Sequence, residues 1–191
     1  MKKRGRFWRN VLNHRFLIIF ILVVLYGFGR KNWFLSWSGS EFTNAENIDY
    51  FEKYQSIAIR QMKTHGIPAS IILAQGYLES NGGQSELALM TNNHFGLKCY
   101  SKTCEKGHCT NFEDDSHKDF FLIFENPESS YEEHSQFLKK ERYQPLFSIQ
   151  KGDYKSWAKG LKKAGYATDP GYDIKLIRLI ENYKLNKYDS F

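Results

Sequence analysis

At 191 residues, with 41% hydrophobic and 16% aromatic side chains, the chain has the material for one packed domain and is too apolar to be disordered. Its formal net charge of +6 invites a nucleic-acid partner, but the charge is unevenly spread. Residues 1–43 hold Lys2, Lys3, Arg4, Arg6, Arg9, Arg15, Arg30 and Lys31 against Glu41 alone, so the remainder is close to neutral and the case for nucleic acid falls away.

The basic excess belongs to a leader. Six of those cations precede the apolar run Phe16–Phe28, a basic n-region followed by an h-region. The run is shorter than the roughly 20 residues a spanning helix wants, though Val11, Leu12, Trp33, Phe34 and Leu35 can extend it. No Ala-x-Ala cleavage site follows, and Ser38-Gly39-Ser40 lies far downstream. Residues 1–32 are therefore expected to be an uncleaved signal anchor, with cleavage as the alternative. The charge bias places the N-terminus in the cytoplasm and the domain outside. Residues 33–45 read as a juxtamembrane linker and 46–187 as the domain.

Glu46 to His65 carries apolar residues at Ile48, Phe51, Tyr54, Ile57, Ala58 and Met62, which is helical spacing, and Gly66 closes the helix. A second helix starts at Pro68, favourable in a first turn, and stops at Gly82-Gly83. Its residues Ile71, Ile72, Leu73, Ala74 and Leu78 are apolar nearly all round, the pattern of a core helix. Glu79 sits on the last turn, where desolvation can lift a carboxyl into the general-acid range; solvation of a helix end is the plain alternative. A short third helix follows Ser85, with Leu87 and Leu89 expected to pack inward. Asn92-Asn93 and Gly96 mark a turn. Residues 99–125 lose the helical period and read as a small irregular β-lobe ending in an aromatic strand, Phe120–Phe124. Helices resume at Ser129–Lys140, Asp153–Ala164 and Pro170–Lys184. The order predicts an α+β domain with a cleft between a helical lobe and a small β-lobe.

Four blocks together resemble glycoside hydrolase family 73, exported glucosaminidases that include autolysins and the flagellar rod-cap domain. They are Gly66–Ser80, Asn92–Lys98, Tyr131–Leu138 and Trp157–Tyr172, in the family's order. The resemblance implies a lysozyme-like fold and cleavage of β-1,4 N-acetylglucosaminyl bonds in peptidoglycan, with no cofactor. Glu79 matches the family's general acid, consistent with a glycosidase's need for a carboxyl held protonated near neutral pH. A second carboxylate is sought in Asn111-Phe112-Glu113-Asp114-Asp115, with Glu113 first on spacing and Asp115 second. It would serve as general base, unless the substrate's acetamido group attacks instead; a solvated turn is the plain reading of the cluster. Tyr172 matches a family tyrosine near the cleft. Tyr166 and Trp157 share its block and read equally as core aromatics. Asn93, Phe95 and Gly96 match the turn beside the cleft, where an amide and an aromatic ring would contact the sugar, with plain packing an equal reading for Phe95. Gln75, four residues before Glu79, shares its helix face and can orient it or the sugar.

Cys99, Cys104 and Cys109 allow three disulfide pairings in an exported domain, with a metal site or free thiols as alternatives. The reading is thus a monomeric, membrane-tethered glucosaminidase of the cell envelope, acting on glycan strands. A lytic transglycosylase and a non-catalytic wall-binding or assembly module of the same fold are the rivals.

Overall fold

The computed structural model describes residues 45–99, 108–110 and 120–190. The expected signal anchor (residues 1–32), the expected linker up to residue 44, and the carboxylates Glu113, Asp114 and Asp115 lie outside the described residues, as does Cys104. Among the described residues no helix is long and apolar enough to cross a membrane.

Helix α1, Ala45–His65, carries the aromatic stripe the spacing predicts, and Tyr50, Phe51, Tyr54, Ala58 and Met62 are buried. Ile48 is the exception, at 47% exposure. Gly66 ends the helix at φ +77°, its N–H reaching the Met62 carbonyl at 2.8 Å. Helix α2, Ala69–Ser80, is the centre of the domain, contacted by α1, by the last two α-helices and by the final 3₁₀ turn. Residues Ala69 to Gly76 are all buried, so the helix has no solvent face until its last turn. Each fully buried Ile or Leu contributes about 1.5–3 kcal/mol relative to exposure. Ile71, Ile72 and Leu73 alone thus hold α2 far more firmly than helix propensity would. Its stop begins one residue before the double glycine, with Asn81 left-handed at φ 51°. The Ser80 hydroxyl donates to the Gly76 carbonyl at 2.6 Å and accepts from the Gly83 N–H at 2.8 Å, closing the turn.

Pro68 precedes α2 and offers no side-chain cap. Asp189, from the far end of the chain, takes that role: its carboxylate accepts from the Ser70 N–H at 2.8 Å and from the Ser70 hydroxyl at 2.6 Å. Asp189→Ala is expected to cost about 1–2 kcal/mol, the value of an N-cap. By calorimetry that is a fall in Tm of roughly 2–8 °C for a domain of this size. Asp189→Asn, which keeps one acceptor, should fall between.

Close approach explains Gly76. A Cβ there would meet the Tyr50 hydroxyl at 2.6 Å and the Tyr131 hydroxyl at 3.1 Å. Those hydroxyls are hydrogen-bonded to each other at 2.9 Å inside the core and cannot swing away. Overpacking costs about 1–3 kcal/mol, against roughly 1 kcal/mol gained by removing a helical glycine. Gly76→Ala is therefore expected to be destabilising in chemical denaturation, despite the better helix former.

Helix α3, Glu86–Thr91, is capped by Ser85 as expected. Its buried residues are Ala88 and Thr91, Leu87 is half-buried, and Leu89 stands 65% exposed with Met90 at 68%. A six-residue helix closed by left-handed Asn92 presents too little surface to bury Leu89 and Met90 as well. Among the described residues the β-lobe contributes a two-stranded sheet. Strands β1, Cys109–Thr110, and β2, Phe121–Leu122, pair antiparallel, and Lys98 bridges to Phe121 on the other side. Phe120 and Ile123, on either side of β2, expose their side chains, while their backbones bond Cys99 and His108. Of the three possible disulfides, Cys99–Cys109 is formed.

Helix α4, Pro127–Phe137, starts earlier than Ser129 because Asn126 accepts from the Ser129 N–H at 2.9 Å, with Pro127 at the first position. A 3₁₀ segment, Glu141–Ser148, then carries Tyr143 and Leu146 into the core, and the sequence reading assigned no element there. Helix α5, Tyr154–Lys163, is capped by Asp153 as expected. Helix α6, Tyr172–Asn182, begins two residues after Pro170, because the Asp169 side chain and carbonyl hold Gly171 and Tyr172 in a preceding turn. A last 3₁₀ turn, Leu185–Tyr188, brings Asp189 back to α2.

Candidate active site

The buried length of α2 delivers its last turn to the surface with Glu79 exposed there. Tyr172, at the first position of α6 and almost wholly buried, donates its hydroxyl to Glu79 Oε1 at 2.9 Å. Gln75, one turn back on α2, donates Nε2 to that same hydroxyl oxygen at 3.0 Å. The three side chains form a directed relay. Because Gln75 fills the phenol's acceptor site, the phenol proton is left for the carboxylate. The expectation that Gln75 shares Glu79's face thus acquires a definite form: it acts through Tyr172.

Glu79 is open to water on one side and crowded by protein on the other. That crowding, chiefly desolvation, raises its pKa. The Tyr172 hydrogen bond opposes the rise, nearby Asp169 adds to it, and Lys175 opposes it. Asp169 and Lys175 pair at 2.6 Å, and Lys162 pairs with Asp173 at 3.1 Å. The Lys175 bond and the Gly171 N–H hold Asp169 below its usual value, so it stays ionised beside the acid. The sequence reading did not single out Lys175; its position on α6 one turn past Tyr172 is the signal that would have found it. Tyr166 stacks on Tyr172 with ring centroids 5.6 Å apart and planes 25° apart. Tyr166 is half-buried, and the charge of Glu79 helps hold its phenol well above the usual value, after the larger effect of burial. Trp157 is core, packed edge-on against Phe147.

Two expected sugar contacts are corrected. Asn93 is 1% exposed and its amide serves the backbone: Nδ2 donates to the Leu97 and Leu122 carbonyls at 2.9 and 3.0 Å, and Oδ1 accepts from the Leu97 N–H at 2.9 Å. Both donors are consumed in tying the turn to β2, leaving none for a ligand. Phe95 is 4% exposed and stacked on His134, centroids 3.9 Å apart, so its face is covered by imidazole rather than open to sugar. Burial holds that imidazole neutral, its pKa pushed down to about 3. Glu113 and Asp115 fall outside the described residues. Among the described residues no group of acidic, histidine or cysteine side chains is arranged to hold a metal ion.

The family model described as glucosaminidase, mannosyl-glycoprotein endo-beta-N-acetylglucosaminidase, matches residues 55–185. The exo-glucosaminidase LytG of Bacillus subtilis (strain 168) is 35% identical over 146 residues, covering 67% of this chain and 48% of that protein. The chain spans about half or less of the length of the curated relatives it matches. The glycoside hydrolase domain of Salmonella typhimurium FlgJ superposes with a TM-score of 0.59 at 26% identity, covering 72% of this chain and 88% of that one. The catalytic domain of the Listeria monocytogenes autolysin Auto, at 23% identity, shares the fold with a TM-score of 0.62, covering 84% of this chain and 95% of that one. The mostly helical architecture with a two-stranded sheet and the likeness to these domains agree with the expected lysozyme-like α+β class.

Proposed function

The chain belongs to the glucosaminidase family, and from that membership we propose that it is a peptidoglycan hydrolase that cleaves β-1,4 N-acetylglucosaminyl bonds with Glu79 as general acid. The observation that carries the reading is the Glu79–Tyr172 pair. A carboxyl with a raised pKa ends a buried helix and is oriented by a phenol that is itself fixed by Gln75. In the reaction Glu79 gives its proton to the scissile glycosidic oxygen, the C1–O bond breaks, and the sugar is captured at C1 by water. Capture is either direct, with Glu113 or Asp115 removing the water's proton, or follows attack by the substrate's acetamido oxygen. Half-buried Tyr166 is the aromatic that would meet the sugar, and Tyr172, 2% exposed, supports it by stacking rather than by direct contact. Neutral sugars need hydrogen bonds and ring faces rather than a metal, so no cofactor is assigned.

The N-terminal segment, with its basic flank and apolar run, supports a tether to the membrane with the domain in the cell envelope, where the substrate lies. Digestion of purified sacculi with mass spectrometry of the products tests the reading. N-acetylglucosamine at new reducing ends is expected, from cuts within strands. Anhydro ends would mean a lytic transglycosylase, release only from strand termini would mean an exo mode, and binding without new ends would mean a non-catalytic module.

A further inference from the structure

A cavity of about 520 Å³ lies between α1, the Gly82–Gly83 turn and α3, and neither Glu79, Tyr166 nor Tyr172 lines it. Its thin wall is Gly83: at φ +79°, a Cβ there would sit 3.3 Å from the Tyr50 ring and 3.4 Å from His94. Tyr50 and Tyr54 give it an aromatic floor, and the Tyr50 hydroxyl fixes the His94 ring through Nδ1 at 3.3 Å.

The walls carry charge of both signs. Asp49 and Lys53 are exposed, one helical turn apart on α1, and both line the cavity. Neither forms an ion pair with another described residue, and Lys53 Nζ lies instead 5.1 Å from the centre of the Tyr54 ring. Gln84 adds an exposed amide and Leu89 an exposed apolar side chain. A neutral saccharide would leave both charges idle, and a polyanion would be repelled by Asp49. A short peptide with a free carboxyl end and an amine-bearing side chain uses every one of these features.

We propose that this cavity is a peptide-binding site, engaging zwitterionic peptide through Asp49, Lys53 and Gln84 above the Tyr50–Tyr54 floor. Building on the wall-hydrolase reading, the ligand is the peptide carried by the glycan strands, gripped away from the bond that Glu79 would cut. The enzyme would then prefer strands that keep their peptides over bare glycan.

Calorimetric titration of the full-length chain carrying Glu79→Gln, which removes turnover, tests this with three probes. These are a disaccharide bearing a tetrapeptide, the tetrapeptide alone, and the peptide-free disaccharide. Both peptide-containing probes are expected to bind, and Asp49→Lys and Lys53→Glu should each weaken them roughly three- to fivefold, the scale of a lost exposed ion pair. The disaccharide should be indifferent to both changes. Gln84→Ala, on a different element, should weaken the same two probes and gives a second reading should a charge reversal fail to fold. Absence of tetrapeptide binding, or peptide binding that ignores all three substitutions, would overturn the proposal. Peptide binding sensitive to the substitutions, alongside wild-type chain (Glu79 intact) that releases no reducing ends from sacculi, would leave the cavity assigned and sink only the hydrolase reading.

Discussion

Glu79→Gln is expected to lower release of reducing ends from sacculi by roughly 10²–10⁴-fold, the usual contribution of a positioned general acid, with the fold intact. Glutamine keeps the length of the side chain and an oxygen that can still accept from Tyr172, so the relay survives while the transferable proton is gone. Stability should not fall with activity. The folded chain binds the Glu79 proton more tightly than the unfolded chain does, because desolvation raises the pKa. Ionisation of Glu79 therefore costs stability as pH rises from the ordinary carboxylate value towards the raised one. Glutamine removes that loss, and at neutral pH the variant is expected to match wild type in Tm or slightly exceed it. The same raised pKa carries the basic limb of the wild-type rate profile above the ordinary carboxylate range. A Glu79→Gln enzyme that still releases reducing ends would end the assignment of Glu79 as the acid.

How far such a site is legible in sequence depends on the reach of the contacts that make it. Helix α2 was readable because local rules agree along it: a proline before it, apolar residues on all sides, left-handed residues after it. Glu79 stood out as its one charged residue. The partner Tyr172, 93 positions away, was reachable only through family resemblance, since no local pattern ties a tyrosine to a distant carboxylate. The same blindness misplaced Asn93 and Phe95. A turn asparagine and an aromatic beside a cleft look alike in sequence whether they face ligand or backbone, and only the partners Leu97, Leu122 and His134 decide. The cap of α2 by Asp189 was invisible for the same reason, 119 positions separating donor from acceptor. Leu89 marks the converse failure, in which helical spacing predicted burial that a six-residue helix could not provide. Its exposure is what furnishes the neighbouring cavity with an apolar contact.

Tyr172→Phe separates orienting the acid from tuning it. Phenylalanine keeps the ring that stacks on Tyr166 and removes only the hydroxyl between Gln75 and Glu79. Glu79 then loses the hydrogen bond that favours its ionised form, so its pKa climbs further and the basic limb of kcat/KM moves to higher pH. The carboxyl also loses the contact that fixes its rotamer, and misplacement of this kind costs up to about 10²-fold in rate. The fall is expected in kcat with KM nearly unchanged, because the hydroxyl is committed to Glu79 and Gln75 rather than free for the sugar. Gln75 Nε2 is left buried without its acceptor, beside an Oε1 that already has no partner among the described residues. An unsatisfied buried donor costs about 1–3 kcal/mol, so Tm should drop as well. Gln75→Leu supplies the control that divides these effects. It releases the phenol's orientation but keeps the phenol, so kcat should fall by less and the basic limb should stay near its wild-type position. If Tyr172→Phe lowered Tm while leaving kcat and the pH profile where they were, the relay would be architecture and Glu79 would find its orientation elsewhere.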